Sequence, residues 1–238
     1  MPYSVLTTSG MRRRPRSAMR RLVLDVSSIL ILTGLLLLLD AAITLVWQEP
    51  VTAAIGLVAR SNLDKRYLSY QTAPLSVIDH DALAGLRSRR ERIAFLARRE
   101  QHQLKTGDAI GTLEIPKIGA SYTLIQGTDA GSLEKGPGHY PQTALPGMGR
   151  TVAVAGHRTT YLAPFSHIDA LRRGDTITLQ LPYGTFVYRV SGHVIVGSGD
   201  LSVLRPRDHE VLALQACNPR FFATQRYIVY ALPVASPA

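Results

Sequence analysis

The pattern of apolar and polar residues divides the chain into three kinds of segment. Residues 22–47 form an almost continuous apolar run, LVLDVSSILILTGLLLLLDAAITLVW. Residues 79–104 are rich in helix formers and carry a thin apolar stripe among many arginines, which predicts one lightly docked helix. From residue 110 onward, short alternating runs recur about every ten positions between turn residues, and this spacing predicts an all-β barrel or sandwich.

The apolar run is predicted to cross a membrane once. A spanning helix needs about 20 mostly apolar residues, and the uncharged part of this run, 26–39, has 14. Asp25 and Asp40 are therefore expected near the two headgroup levels, where a carboxylate costs less than at the bilayer centre. Residues 1–21 contain six arginines and no acidic residue, and Trp47 suits the outer interface, which predicts a cytoplasmic N-terminus and an extracellular remainder.

A cleaved signal peptide is the alternative interpretation of the same run. Its apolar core is typically about 7–15 residues long, which the uncharged part also satisfies. However, no convincing small-x-small cleavage site follows Leu39, and apolar residues continue to Trp47. The pattern therefore favours an uncleaved, single-pass anchor in the cell membrane over a cleaved leader, and over a buried hairpin of a soluble protein.

The net charge of +10 is concentrated in the N-terminal half, which argues against a nucleic-acid partner. Residues 50–107 carry ten basic and five acidic residues, whereas residues 108–238 carry eleven and nine. A nucleic-acid-binding domain is expected to carry its basic excess on the folded domain. Basic residues close to a membrane anchor are instead expected to contact the anionic headgroups of the lipid bilayer. The predicted organisation is a basic cytoplasmic tail (1–21), a transmembrane signal-anchor helix (22–47), a helical stalk or linker (48–107) and a catalytic domain (108–238).

Three residues of the β region that carry reactive groups all lie at predicted strand ends. Cys217, the only cysteine, ends the run EVLALQAC, and alternation places it on the same face as Gln215. Arg226 opens the next run, RYIVYAL, and His157 ends the run TVAVAGH. If the first two strands are neighbours, the guanidinium approaches the thiol.

A thiol, an imidazole and a guanidinium are together suited to nucleophilic catalysis. A free thiol has a pKa of about 8.5 and needs a base or cation to become a thiolate at neutral pH. A histidine supplies that function, and a fixed donor stabilises the oxyanion formed on attack. A single exported cysteine is otherwise a buried bystander or an intermolecular link, and residue types alone leave those alternatives open.

The sequence strings around these residues resemble a sortase, one of the cysteine transpeptidases that attach proteins to Gram-positive cell walls or build pili. The strings are LALQAC (212–217) followed by Arg226, and AVAGHRTTYLAPFSHIDALRRGD (153–175). GPGHYPQTALPG (136–147), GHRTTY and the short spacing from cysteine to arginine are most similar to class E sortases of actinobacteria. The resemblance covers residues 108–238 and implies a closed eight-stranded β-barrel with short helices.

The resemblance also implies a reaction and its participants. Cys217 would attack the Thr carbonyl of an LPxTG-like or LAxTG-like sorting signal on a secreted protein, with His157 as acid and base and Arg226 as oxyanion donor. The thioacyl enzyme would then be resolved by an amine of a peptidoglycan precursor or a pilin lysine. Substrate-binding candidates are His139 and Tyr140 in a Gly/Pro-rich loop, and Gln215 and Ala216, where the family usually has threonines.

Some sortases use calcium, but the nine acidic residues of the β region are scattered, so neither a metal nor another cofactor is expected. Two other functions remain open. A cysteine peptidase would use the same residues and end in hydrolysis. A membrane-anchored adhesion or assembly module would carry no catalytic site, and its thiol would react only after unfolding.

Overall fold

Two units make up the chain in the computed structural model, Met1–Trp47 and Gln48–Ala238. The structure describes residues 16–46, Thr52 and residues 77–234. Three parts of the predicted organisation lie outside the described residues. These are the basic tail up to residue 15, Trp47 at the interface, and the stalk up to residue 76 apart from Thr52. The four domain boundaries taken from the sequence remain predictions.

Helix α1 (Arg16–Val46) forms the described part of the first unit. Within it, Met19–Ile43 is long and apolar enough to cross a membrane, and none of that segment is buried within the protein. Its 25 residues extend about 37 Å at the rise of an α-helix, which exceeds the roughly 30 Å hydrocarbon core of a bilayer. Length and composition alone support this assignment, and an N-terminal signal sequence has the same properties.

A closed barrel of eight strands forms the second unit, which confirms the predicted architecture. The order around the barrel is β1-β2-β3-β4-β7-β8-β6-β5, and β5 pairs with β1 to close it. The pairs β2–β3 and β4–β7 are parallel, and the remaining pairs are antiparallel. The strands are β1 (Ala109–Ile115), β2 (Ala120–Gln126), β3 (Gly138–His139), β4 (Thr151–Ala155), β5 (Thr176–Leu181), β6 (Gly184–Gly197), β7 (Val211–Asn218) and β8 (Gln225–Pro233).

Strand alternation separates the barrel interior from its outer face. On β7, Leu212, Leu214 and Ala216 point into the main core, which removes their apolar surface from water. The intervening Ala213 packs outside the barrel with Ile228 and Ala153 of the neighbouring strands. Every second residue of β7, β8 and β4 therefore faces outward, and this parity fixes the direction of the side chains at the strand ends.

The helix predicted over 79–104 is in fact two helices. Helix α2 (Val77–Ala84) ends before Gly85, and helix α3 (Arg89–Gln103) begins after Ser88. The Ser88 side chain accepts a hydrogen bond from the Glu91 amide, and the Glu91 carboxylate accepts one from the Ser88 amide, which is a capping box. Gly85 disfavours continuation of a helix, and the cap defines a new start.

Helix α3 packs on the barrel unit through a narrow contact. Ala97 is fully buried, and the Gln101 side-chain amide donates to the carbonyl oxygen of Thr143 at 2.9 Å. A short helix α4 (Ala130–Leu133) follows β2, with the Asp129 carboxylate as its N-cap. Glu134 is the C-cap of helix α4, and its carboxylate accepts a hydrogen bond from Tyr161 in the loop after β4.

Candidate active site

Cys217 lies near the end of β7, directly opposite Arg226 at the start of β8. Directly opposed residues project to the same face of a sheet, with Cβ atoms about 4.5–5.5 Å apart. That face is the outer one, because the adjacent residues Ala216 and Tyr227 belong to the interior core. The thiol is free and partly exposed, so a substrate can reach it on the face that also carries the Arg226 side chain.

The strand that leads to His157 lies on the other side of the cysteine strand, because β4 pairs in parallel with β7. Ala155 is aligned with Gln215, and the Gly156 amide donates to the Gln215 carbonyl at 3.0 Å. His157 lies two residues beyond Ala155, as Cys217 lies two residues beyond Gln215. The cysteine strand is thus flanked by the histidine strand on one side and by the arginine strand on the other.

A glycine precedes His157 because the Phe165 ring packs directly against the backbone at that position. A Cβ atom at Gly156 would approach a ring carbon of Phe165 to 2.5 Å, so only glycine allows this contact. Phe165 is fully buried, and its amide donates to the His157 carbonyl at 3.0 Å. The loop after β4 therefore folds back on the strand end and fixes the backbone that carries the imidazole.

The side chains around His157 include an aromatic ring and a carboxylate. The Tyr161 ring lies 5.1 Å from the imidazole at a 40° tilt, and its hydroxyl donates to Glu134 Oε1 at 3.2 Å. Burial lowers the pKa of His157, and the negative charge of Glu134 partly opposes that change. The imidazole is therefore more readily neutral than that of a solvent-exposed histidine.

Tyr140 and Gln215 contribute polar groups to the same outer surface. The Tyr140 amide donates to the Ala153 carbonyl at 2.9 Å, and the Tyr140 carbonyl accepts from the Thr143 hydroxyl at 2.8 Å. Burial raises the pKa of Tyr140, while the Arg226 charge and a hydrogen bond with the Gln215 side chain oppose that increase. These interactions bring the phenol close to Gln215 and Arg226.

The Arg226 guanidinium is anchored by one nitrogen. Its Nη1 donates to the carbonyl oxygens of Ala223 and Gln225, both at 2.9 Å. Within residues 77–234, no hydrogen bond from Nε or Nη2 is found. Those N–H groups are the ones that can donate to a ligand beside the thiol.

The outer-face site is defined here as the partly exposed side chains of Tyr140, His157, Gln215, Cys217 and Arg226.

Two further predicted site residues do not line this surface. His139 is fully buried, and its two ring nitrogens contact Gln126 Oε1 at 2.8 Å and the Ala144 carbonyl at 3.0 Å. Ala216 is 2% exposed and points into the core, so neither side chain lines the surface beside the thiol.

Three residues near the site were not singled out from the sequence. Arg158 follows His157 directly and is buried, and its Nη1 donates to the Cys217 carbonyl at 3.2 Å. Glu134 and Tyr161 form the surroundings of the imidazole described above. Arg158 and Tyr161 could have been suspected because they lie within four residues of His157 in the sequence. No sequence feature points to Glu134. Among the described residues, no cluster of three His, Cys, Asp or Glu side chains is arranged to hold a metal ion.

Comparison with known proteins identifies the family. The model of the sortase domain matches residues 113–234. Sortase D of Bacillus subtilis is 39% identical over 130 residues, which cover 53% of this chain and 64% of that protein. Sortase SrtE1 of Streptomyces coelicolor is 26% identical over 221 residues, which cover 86% of this chain and 55% of that protein. The chain thus spans 64% and 55% of the lengths of these two curated relatives.

The fold comparison gives the same result. A Sortase D5 transpeptidase from Clostridium perfringens superposes with a TM-score of 0.56 at 24% identity, covering 76% of this chain and 99% of that one. At this identity the similarity establishes the barrel architecture alone, and it confirms that the predicted barrel is sortase-like. Both a Sortase D and a class E sortase are among the relatives, and the Sortase D match has the higher identity. On the domain match, the chain belongs to the sortase family.

Proposed function

We propose that this protein is a membrane-anchored cysteine transpeptidase. It cleaves a sorting signal of the LPxTG or LAxTG type between Thr and Gly. It then transfers the acyl group that ends in Thr to an amine. The observation that carries the proposal is the direct cross-strand pairing of Cys217 with Arg226, with the His157 strand on the other side of the cysteine strand. Membership of the sortase family supplies the reaction class.

The first step acylates the enzyme. Cys217 Sγ, as the thiolate, attacks the Thr carbonyl carbon and forms a C–S bond, while the C–N bond to Gly breaks. The protonated imidazole of His157 gives its proton to the departing glycine amine, as general acid. The Arg226 Nε and Nη2 groups donate to the oxygen that becomes negative in the tetrahedral intermediate, since its Nη1 is held by Ala223 and Gln225.

The second step transfers the acyl group. An incoming amine attacks the thioester carbonyl, a C–N bond forms and the C–S bond breaks, which returns the thiolate. His157, now neutral, accepts the proton that the amine loses. Burial lowers the pKa of His157, which favours the neutral form needed in this half of the reaction. The amine belongs to a peptidoglycan precursor or a pilin lysine in this proposal.

Tyr140 and Gln215 are proposed to contact the sorting signal close to the scissile bond. The Tyr140 hydroxyl and the Gln215 amide are polar groups beside the thiol, and each can hydrogen-bond the peptide backbone. Gln215 occupies the position two residues before the cysteine, on the cysteine's face of the strand. The buried His139 acts indirectly in this proposal, because it supports the loop that carries Tyr140.

Helix α1 is proposed to be the single-pass anchor. The long exposed apolar stretch supports the span, and the six arginines within residues 1–21 support a cytoplasmic N-terminus with the barrel outside. Substrate proteins that are secreted and carry C-terminal sorting signals would reach the site from that side.

A peptide transfer assay with the full chain in detergent micelles tests this function. Fluorescent LAxTG and LPxTG peptides are mixed with the enzyme and a glycine-based amine, and the products are identified by mass spectrometry. We expect a transpeptidated product and a trapped acyl adduct on Cys217 that contains the peptide up to Thr. Cys217→Ala should form neither.

Two outcomes would favour the alternatives. Release of the free acid alone, in the presence of several amines, would support a hydrolytic peptidase. Absence of any adduct on a thiol that alkylates only in denaturant would support a module without catalysis. Replacing His157 with Ala then separates these cases further, because a thiol activated by the imidazole loses reactivity in that variant whichever acceptor resolves the acyl enzyme.

A further inference from the structure

A buried arginine connects the strand ends that carry the proposed histidine and cysteine. Arg158 is 5% exposed, although it directly follows His157 at the mouth of the site. Its Nη2 forms an ion pair with Asp169 Oδ2 at 2.7 Å, and its guanidinium lies over the Tyr227 ring at 5.7 Å. A charge is buried at low cost only when it is paired and hydrogen-bonded in this way.

The other arm of the guanidinium binds the cysteine itself. Arg158 Nη1 donates to the Cys217 carbonyl oxygen at 3.2 Å and to Asn218 Oδ1 at 3.1 Å. The Asn218 side-chain amide then donates to Gln225 Oε1 at 2.9 Å, at the start of β8. One side chain therefore joins the loop after β4, the end of β7 and, through Asn218, the beginning of β8.

We infer that Arg158 is a positioning residue that sets the separation between the His157 imidazole and the Cys217 thiol. The inference rests on the proposed function and adds to it how the two groups are held. His157 and Arg158 are consecutive, so any movement of the Cys217 carbonyl relative to Arg158 changes the distance between imidazole and sulfur. Asp169 holds the opposite arm of the fork, which prevents the guanidinium from following such a movement.

Arg158 and Arg226 have different tasks in this arrangement. The Arg158 side chain is 4% exposed and both of its terminal nitrogens are engaged, so it cannot donate to a substrate oxygen. Arg226 is partly exposed, and only its Nη1 is engaged by described residues. The buried arginine acts through the backbone of Cys217, whereas the exposed one lies on the substrate side.

Stability alone does not account for an arginine at this position. Its Nε is buried and finds no acceptor within the described residues, which is unfavourable. A lysine would carry no such N–H, but its single ammonium cannot bridge Asp169 and the Cys217 carbonyl in two directions. The planar guanidinium is therefore suited to hold Asp169 and the Cys217 carbonyl at a fixed separation through its two terminal nitrogens.

A mutant cycle on the full chain tests the inference without relying on transfer activity. The rate of Cys217 alkylation by iodoacetamide is measured at neutral pH for the wild type, Arg158→Met, His157→Ala and the double variant, each well below its thermal midpoint. We expect Arg158→Met and His157→Ala each to lower the rate about tenfold or more. The double variant should match His157→Ala, since residues acting as one unit are not additive.

Peptide transfer gives the second measurement. Arg158→Met should lower kcat about 100-fold with KM changed less than about threefold, as expected for a displacement of about 1 Å between reacting groups. Arg158→Lys should recover only a small part of the loss. Arg189→Met is the matched control, because exposed Arg189 also donates to a carbonyl, that of Gly174 at 3.1 Å, but lies away from the site.

Different results overturn different claims. Wild-type alkylation and kcat in Arg158→Met, or an additive double variant, would refute the positioning role and leave the transpeptidase proposal intact. An unchanged alkylation rate in His157→Ala would refute the pairing of imidazole and thiol, and the positioning role with it. A lower thermal midpoint with normal kcat in the folded protein would identify Arg158 as a purely structural residue.

Discussion

The dipeptide Gly-His occurs at two strand ends of this barrel, with opposite consequences. Gly138 and His139 form the short strand β3, whereas Gly156 and His157 follow β4. His139 is fully buried, with a polar partner at each ring nitrogen, and burial lowers its pKa to about 4. His157 is partly exposed beside an aromatic ring, and a carboxylate opposes the lowering of its pKa by burial.

The two histidines differ in what surrounds the ring and in where each residue lies relative to its strand. The His139 ring meets Gln126, Thr143 and Ala144, so it cross-links β2 to the loop before β4. His157 lies beyond the last paired residue of its strand, where the chain leaves the barrel. A histidine whose nitrogens are both occupied stabilises a fold, whereas one whose ring remains accessible can exchange a proton with a ligand.

The largest expected effect is on the accessible histidine. His157→Ala should lower kcat/KM for peptide transfer about 1000-fold, because the general acid and base is lost. The free energy of unfolding should change by less than about 1 kcal/mol, since the ring is not part of the core. Transfer kinetics and urea unfolding of the same preparation measure both. His102→Ala, an exposed histidine on α3, is the control, and equal activity of the two variants would contradict the assignment.

The buried histidine should behave in the reverse manner. His139→Ala should lower the free energy of unfolding by about 3 kcal/mol, because it leaves a cavity and unpaired groups at Gln126 and Ala144. Urea unfolding followed by circular dichroism gives this value directly. A loss below about 1 kcal/mol would mean that the network contributes little and that the two histidines differ less than their surroundings suggest.

The pH dependence of stability sharpens the same contrast. The folded protein keeps His139 neutral down to a pKa of about 4, whereas an unfolded histidine binds its proton near 6.5. Between these values the unfolded state binds more protons, so stability is complete above pH 6.5 and falls as the pH decreases towards 4. The shift corresponds to about 3 kcal/mol.

The measurement compares unfolding free energies at pH 7 and pH 4 for the wild type and His139→Gln, which has no titrating ring. The wild type should lose about 3 kcal/mol more than the variant over this range. Parallel curves for the two proteins would show that His139 does not titrate between the folded and unfolded states, against its burial in the structure.

The sequence predicted the longer strands well and missed the shortest one, β3. The alternating runs from residue 110 onward predicted the longer strands, but β3 has two residues and cannot show a period. Its Gly/Pro-rich surroundings indicated a surface loop, which is why His139 was expected beside the substrate. The capping box at Ser88, which divides the predicted helix into two, was present in the sequence as Ser-x-x-Glu.

The site could be anticipated where it depends on strand order along the chain. Cys217 and Arg226 belong to consecutive strands, and a hairpin connection makes such strands neighbours. The parallel pairing of β4 with β7 joins residues 60 positions apart, and no local pattern reveals it. The contacts of Arg158 depend on that pairing and on the loop carrying Asp169, so a buried role for this arginine was not visible in the residues alone.

The smallest expected effect concerns the carboxylate that distinguishes the surroundings of His157 from those of His139. The Glu134 charge opposes the lowering of the His157 pKa by burial, so Glu134→Gln should lower that pKa further. The alkaline limb of kcat/KM, where the protonated imidazole is lost, should move to lower pH, while the maximum changes by no more than about fivefold. Tyr161→Phe keeps both the carboxylate and the ring beside the imidazole, so its alkaline limb should coincide with that of the wild type. If Glu134→Gln leaves the limb in place, or Tyr161→Phe moves it equally, then the hydrogen bond between these two residues matters more to His157 than the carboxylate charge.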